Sequence, residues 1–248
     1  MQRPVQPTVR PLFSRISLVE LCGVVIIFAG VLGAIFWVAH GNREATLDRM
    51  SVRNLHSIRI ALQAYQQQNG TLPPAYVCDA SGVPCHSWRV LILPQLGYFD
   101  LYRRYRFSEP WNSSHNLIVA ADMPVEYRCQ FDPRETDNHT HYLAVVGAGT
   151  VWPGAVATRV AADDQRIVVL QMASSNILWS EPADLPLASI TPERQAAPGL
   201  VVERRRGLPL ATLNRLIILP PEATDDTSTR QLREMLTDGR GIQRLQGN

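Results

Sequence analysis

Residues 16–39 read ISLVELCGVVIIFAGVLGAIFWVA, an almost unbroken apolar run that decides the first part of the fold. A helix needs about 20 apolar residues to cross the hydrocarbon core of a bilayer, so this run is long enough. We therefore predict a membrane-spanning helix over residues 16–40. The one acid in the run is Glu20. A carboxylate costs roughly 2.5–3.5 kcal/mol at mid-membrane and less near the interface, so Glu20 either reaches the headgroups or has a partner.

The charges on either side of the run predict its orientation. Arginines without any acid precede it, at positions 3, 10 and 15, whereas acids and arginines are mixed after it. Because positively charged flanks stay in the cytoplasm, we expect residues 1–15 to be a cytoplasmic tail. A cleaved secretory signal has a shorter apolar region and a clean small-x-small site, which this run lacks. The prediction is a retained, single-pass anchor in the inner (cytoplasmic) membrane.

The remainder of the chain is long enough for one globular domain of roughly 200 residues. We assign this extracytoplasmic domain to residues 41–237 and expect the polar residues 238–248 to be a flexible C-terminus. The formal net charge is +2 and the arginines are scattered, which argues against nucleic acid as a partner. The lipid bilayer is the first expected partner.

Two of the four cysteines flank a turn-rich stretch. Cys78 and Cys85 enclose Asp-Ala-Ser-Gly-Val-Pro, so they are candidates for a small disulfide loop in an oxidising extracytoplasmic space. Cys129 is then left over or pairs with one of them, because the sequence does not fix connectivity. Cys22 lies inside the apolar run and is expected to be an apolar filler.

Beyond the apolar run, residues 43–68 are typical of an amphipathic helix. Apolar side chains recur there at three- to four-residue spacing, with polar side chains on the other face. These apolar residues are Leu47, Met50, Leu55, Ile58, Leu62 and Tyr65. Asn69-Gly70 predicts the end of the helix, and Pro73-Pro74 prevents its return.

From Leu72 onward, prolines and glycines are frequent and apolar runs are short, which favours strands and loops. Residues 88–93 form either a short helix or a buried strand. The other candidates are strands over residues 142–146, 166–172, 176–180, 200–203 and 213–219, and a terminal helix over residues 229–237. The predicted fold class is α+β, with one long N-terminal helix packed on a mainly antiparallel β-sheet head with many loops.

The start of the apolar run resembles a known signature. Ile16-Ser-Leu-Val-Glu-Leu is similar to Phe-Thr-Leu-Val-Glu-Leu, which opens the hydrophobic helix of type IV prepilins and type II secretion pseudopilins. The block from Arg53 to Ala75, with its Asn-Leu-His-Ser-Ile and Asn-Gly-Thr-Leu-Pro-Pro-Ala elements, resembles the pseudopilin-G-like family of planctomycete-type bacteria, domain of unknown function family 1559. Further similar blocks begin at His86, Glu109, Tyr127, Tyr142 and Trp179.

The resemblance implies a pilin-like fold and a role in assembly. In such proteins a carboxylate at the fifth mature position pairs with the free amino terminus of a neighbouring helix. Glu20 fits that position if the mature chain begins at Ile16. Prepilins have a glycine before the cleavage point, whereas Arg15 stands here, so Arg15 and Ile16 are the candidate processing junction. Self-assembly through the N-terminal helix, or binding to other proteins, is what the resemblance implies about partners.

No constellation for catalysis emerges, so we expect neither an enzyme nor a cofactor. Gly147-Ala-Gly149 is followed by Trp152-Pro153, where a dinucleotide loop requires a glycine and a helix. Asp137, His139 and His141 are close in sequence but lack the further ligand and second shell of a zinc site.

Two hypotheses for function follow. The first is a membrane-anchored, pseudopilin-like structural or assembly protein of the cell envelope or of a secretion-type system. The alternative is a membrane-anchored extracytoplasmic module that binds a ligand, a polymer or a partner protein.

Overall fold

The structure, a computed structural model, describes residues 18–128, 138–172, 175–190, 208–219 and 226–239. The chain divides into two compact units, residues 1–46 and 47–248. Helix α1, Leu18–Asn69, begins in the first unit and ends in the second. We call the described part of the second unit the head.

Among the residues whose side chains the structure describes, no helix is long and apolar enough to cross a membrane. The predicted span over residues 16–40 extends beyond them. Residues 16 and 17 lie outside the described chain, and the side chains of residues 18–20 and 38–40 are not described.

The predicted amphipathic helix over residues 43–68 is confirmed as part of α1, and its predicted end is confirmed as well. Gly70 has a φ of 78°, a left-handed conformation that suits glycine after a helix, and its N–H donates to the carbonyl of Gln66 at 2.8 Å. Leu55, Ile58 and Leu62 are fully buried. Their spacing of three and four residues places them on one side of the helix, which packs against the core of the head.

The strands of the head form three sheets. A hairpin joins β1 (Tyr76–Cys78) to β2 (Pro84–Ser87) in antiparallel fashion. The central sheet contains β3 (Tyr142–Leu143), β5 (Ile167–Gln171), β7 (Leu208–Thr212) and β8 (Leu216–Leu219), in that spatial order and with every pair antiparallel. The third sheet is a short parallel pair of β4 (Val145–Val146) and β6 (Leu185–Pro186). The predicted α+β class is confirmed.

Four further helices lie between or after these strands. They are α2 (Trp88–Leu91), α3 (Phe99–Arg104), α4 (Ser114–Ala120) and α5 (Asp226–Thr237), with 3-10 turns at Val125–Tyr127 and Leu187–Ser189. Serine hydroxyls cap two of them: Ser87 accepts from the backbone N–H of Arg89, and Ser113 accepts from that of Asn116.

The structure corrects several of the predicted elements. Residues 88–93 contain a helix rather than a strand, and residues 142–146 form two short strands rather than one. The strand predicted over residues 176–180 is wrong, because that stretch contributes only an isolated bridge between Leu178 and His139. The strand at residues 213–219 begins at Leu216, after a turn. Residues 200–203 lie outside the described chain.

The central sheet lies between two apolar clusters. On one side, Tyr142, Val169 and Ala211 pack with the buried side of α1 and with three buried tryptophans, Trp88, Trp152 and Trp179. On the other side, the sheet packs against α5 through a second set of side chains. This set comprises Leu143, Ile167, Leu170, Leu210, Leu232, Met235 and Leu236. Strand β5 is therefore buried along its whole length, as expected for a strand covered on both faces.

Candidate functional site

The described part of the apolar run presents a continuous apolar surface. Its large side chains have exposed fractions of 51% to 80%. They are Leu21, Val24, Val25, Ile26, Ile27, Phe28, Val31, Leu32, Ile35, Phe36 and Trp37. Five of them are consecutive, from residue 24 to residue 28, and consecutive residues point in different directions around a helix. The apolar surface therefore surrounds α1 here. A helix that is apolar on all sides is normally buried by other apolar groups, which here would have to come from outside the chain.

The residues predicted to control assembly lie at the edge of this segment. Arg15 and Ile16 are outside the described chain. Glu20 lies in the first turns of α1, where the backbone is helical and the side chain is not described. The roles of these three residues stay predictions.

The two candidate disulfide cysteines lie in the β1–β2 hairpin, and both are free thiols. The register pairs Cys78 with Pro84 and Val77 with His86, so an irregularity leaves Cys85 without a direct cross-strand partner. Cys78 is therefore paired with the exposed Pro84, whereas Cys85 is buried. A disulfide between Cys78 and Cys85 stays a prediction for the oxidised protein, and Cys129 is outside the described chain.

A buried ion pair lies at the centre of the head. The guanidinium of Arg89 donates to the carboxylate of Asp184, and the two side chains are 0% and 2% exposed. Oδ1 of Asp184 also accepts from the backbone N–H of Ala144 at 2.8 Å, and Oδ2 accepts from Nε1 of Trp88 at 3.1 Å. Asp184 is thus held by three donors from two separate segments, α2 and the backbone at Ala144.

The other donors of Arg89 are satisfied as well. Nε donates to the carbonyl of Tyr142 at 3.1 Å, and Nη1 donates to the hydroxyl of Ser87 at 3.0 Å and to the carbonyl of Ala183 at 3.3 Å. The Tyr127 hydroxyl donates to the Arg89 carbonyl at 2.8 Å. Because a buried charge is tolerated only when it is paired and hydrogen-bonded, this set of contacts fixes the mutual positions of α2, β3 and the segment before β6.

The electrostatics of this pair reflect its burial. Removal from water raises the pKa of Asp184, while the charge of Arg89 and the hydrogen bonds from Ala144 and Trp88 act in the opposite direction. Burial also raises the pKa of the Tyr127 hydroxyl well above its ordinary value. Both charged groups are out of contact with solvent, so the pair organises the core.

Sequence reasoning did not single out this pair. Arg89 is the one charged residue in the run Trp88–Leu93, and Asp184 lies in the block that begins at Trp179. A lone charge inside an apolar run was the available signal, since such a residue needs a buried partner. The sequence did not indicate which acid that partner is.

The described chain contains no group of three histidine, cysteine or acidic side chains placed to hold a metal ion. Of the three residues considered for zinc, Asp137 lies outside the described residues. His139 forms the bridge to Leu178, and His141 is buried with its backbone N–H donating to the carbonyl of Tyr127.

A family comparison agrees with the blocks that form this core. Residues 43–169 match the model of the family described as Protein of unknown function (DUF1559), which is just over half of the 248 residues. The chain belongs to this family. The match includes the DUF1559-like blocks from Arg53 through Tyr142, and it leaves out the prepilin-like residues 16–21 and the block at Trp179. No curated protein and no solved structure matches the chain.

Proposed function

We propose that this DUF1559 protein is a pseudopilin-like assembly protein of the cell envelope or of a secretion-type system. Residues 16–40 anchor it in the cytoplasmic membrane as a single span, with residues 1–15 inside and the head outside. The observation that carries the proposal is the apolar surface around α1 at residues 21–37, which is exposed in the single chain.

The free energy of lipid transfer supports this role for the segment. Each Leu, Ile, Phe or Val contributes roughly −0.3 to −0.6 kcal/mol at the centre of a spanning helix, and ten such side chains are exposed between Leu21 and Phe36. Their sum, about −3 to −6 kcal/mol, exceeds the cost of Glu20, which is roughly 2.5–3.5 kcal/mol at the bilayer centre and less near the helix end. The segment therefore tolerates one acid in lipid.

Glu20 gives the proposal its assembly step. Cleavage before Ile16 would create an amino group four residues away, which is about 6 Å along a helix. That amine, or the same amine of a neighbouring helix, would neutralise the carboxylate where water is scarce, and an unpaired carboxylate would oppose close packing of helices. The Arg15–Ile16 junction and Glu20 thus act together.

The head supports a non-enzymatic role. The buried polar network around Arg89 and Asp184 is closed to solvent and fixes the fold. A rigid head on an apolar helix suits a subunit that is positioned by its neighbours.

The N-terminal sequence and intact mass of the protein from native membranes test the processing step. A chain that begins at Ile16 supports assembly through Glu20. A chain that retains residues 1–15 contradicts it and favours the alternative, a permanently anchored module that binds a ligand, polymer or partner protein.

A variant pair tests the assembly step itself. Glu20→Gln should abolish cross-linked oligomers in membranes, and Glu44→Gln, an acid of the same helix outside the apolar run, should leave them intact. Equal oligomers in both variants would contradict the proposal. The unfolding transition of the head, measured on both, shows whether the fold is retained.

A further inference from the structure

Arg59 is a buried cation without an acidic partner in the part of the chain that the structure describes. The residue is 8% exposed and lies on α1 within the head. Burial lowers the pKa of its guanidinium. Buried charges are normally paired, because an uncompensated charge away from water costs several kcal/mol. Arg89 obeys this rule with Asp184, whereas no acid among the described residues pairs with Arg59.

The hydrogen bonds of Arg59 do not use the edge of the guanidinium that carries Nε. Nη1 donates to the carbonyl of Leu213 at 3.1 Å and to Oε1 of Gln63 at 3.3 Å. Nη2 lies 3.3 Å from Nδ1 of His56, which must be the acceptor because a guanidinium only donates. Nε is buried and has no hydrogen-bond partner among the residues that the structure describes. Nε–H and one N–H of Nη2 point in the same direction, which is the fork that a carboxylate binds with both oxygens.

A second arginine, Arg215, belongs to the turn that Arg59 contacts. The Leu213 carbonyl that Arg59 binds belongs to the turn between β7 and β8. Arg215 follows in that turn, and its buried Nε also has no hydrogen-bond partner within the described chain. The hydroxyl of Thr212 accepts from the backbone N–H groups of Asn214 and Arg215 at 3.3 and 3.1 Å, so the turn is ordered. Arg59 therefore contacts the turn that carries Arg215.

The cover over Arg59 is formed by polar side chains at the surface. His56 and Asn214 are exposed and Gln63 is half-buried. Gln63 Nε2 donates to Oδ1 of Asn214 at 3.4 Å, which is a long and weak hydrogen bond. Gln63 contacts Nη1, whereas His56 contacts Nη2, so His56 is the side chain that would have to turn aside for a ligand to reach Nε and Nη2 together.

We propose that Arg59 and Arg215 form a binding site for a carboxylate that comes from outside the head. Nε and Nη2 of Arg59 bind the two carboxylate oxygens, and Arg215 adds a second positive charge from the turn. The carboxylate is either a small free acid or an acidic side chain of a second copy of this chain. All residues of the site belong to the head, so its behaviour is separable from that of the apolar helix.

Acetate titration of the full-length protein in detergent micelles tests the site. Sodium acetate replaces sodium chloride at constant ionic strength, and the Nε–Hε signals of ¹⁵N-arginine are followed together with the unfolding temperature. Acetate should shift the Nε–Hε signal of Arg59 downfield and raise the unfolding temperature. In Arg59→Met the apparent affinity for acetate should fall at least tenfold, and in Arg215→Met it should fall by a smaller factor.

Arg53→Met is the matched control, because Arg53 is an exposed arginine of the same helix. It should respond to acetate as the wild type does. An equal response in wild type and in Arg59→Met would overturn the proposal, and so would the absence of any acetate response in a wild type whose oligomeric state Arg59→Met leaves unchanged.

Sedimentation velocity distinguishes the two sources of the carboxylate. If a second copy supplies it, the wild type sediments as a larger species than Arg59→Met, and acetate dissociates that species. If the ligand is a small free acid, wild type and Arg59→Met sediment alike and only the acetate response differs. Glu20→Gln, tested in parallel, should retain the acetate response whether or not the helix assembles.

Discussion

Replacing Asp184 by asparagine should destabilise the head by about 3–5 kcal/mol, because it leaves the buried Arg89 without its counter-charge. Asp184 accepts three hydrogen bonds, two on Oδ1 and one on Oδ2. Asparagine has only one accepting oxygen, so its NH₂ group must face a donor, either Nε1 of Trp88 or the pair formed by Arg89 and Ala144. The volume is unchanged, so the loss is electrostatic and not a cavity.

Urea unfolding of the full-length protein in detergent, followed by tryptophan fluorescence, measures this loss. Domains are stable by about 5–15 kcal/mol, so the variant remains measurable if the wild type lies above the lower end of that range. With an m value of about 2 kcal/mol per molar urea, the midpoint should fall by roughly 1.5–2.5 M.

The exposed ion pair between Arg103 and Asp100 provides the control, since its side chains are 74% and 85% exposed. Asp100→Asn should cost less than about 1 kcal/mol. The double variant Arg89→Met, Asp184→Leu removes the uncompensated charge but leaves the Ala144 N–H and Trp88 Nε1 without acceptors, so it should recover only part of the loss. If Asp184→Asn costs no more than Asp100→Asn, the reasoning about the buried pair is refuted.

Three further predictions concern other parts of the head and use the same unfolding assay. Burial lowers the pKa of His86 below its ordinary value of 6.5, so the unfolded chain is protonated first. The stability that neutral His86 contributes is full above pH 6.5 and is lost as the pH falls through the folded pKa; His86→Gln should flatten this dependence. Gly147→Ala should lower the free energy of unfolding by about 1–3 kcal/mol, because the added Cβ would lie 2.8 Å from the Cβ of Leu187. A loss below about 0.5 kcal/mol would contradict this close contact. Ile58→Ala should lower the free energy of unfolding by about 2–5 kcal/mol, because Ile58 is fully buried. Ile60 is 43% exposed, so Ile60→Ala should lower it by less than about 1 kcal/mol. Equal losses would contradict the assignment of Ile58 to the buried side of α1.

Local patterns account for the parts of the fold that the sequence predicted. The second part of α1 follows from apolar residues at helical spacing and from a glycine in position to end the helix, both of which act within a few residues. Strand β5 follows from a short run of β-branched and leucine residues, Ile167–Gln171. Strand β7 was missed because it begins with Leu208-Pro209, and proline weakens a strand pattern. Its pairing with β5 is decided by contacts between distant residues.

For the candidate sites as well, local motifs were predictable from the sequence and contacts between distant residues were not. Glu20, Arg15 and Ile16 were found because a short motif contains them, and their roles await experiment. The pair of Arg89 with Asp184, and the carbonyl of Leu213 on Arg59, join residues 95 and 154 positions apart. Periodicity and local propensity carry no information about such distances, and only the packed sheet brings these groups together.

The separation of Arg89 from Asp184 also has a consequence for biosynthesis. At about 5–20 residues per second, the 95 residues between them take roughly 5–20 seconds to translate. During that interval the guanidinium has no counter-charge, so desolvation opposes its burial, and Trp88, which it contacts, also lacks the acceptor for its indole N–H. The segment that matches the family ends at residue 169, before the acid has been made. Closure of the core is therefore a late event in the synthesis of this protein, and a chain that ends at the family boundary lacks the charge that its own centre requires.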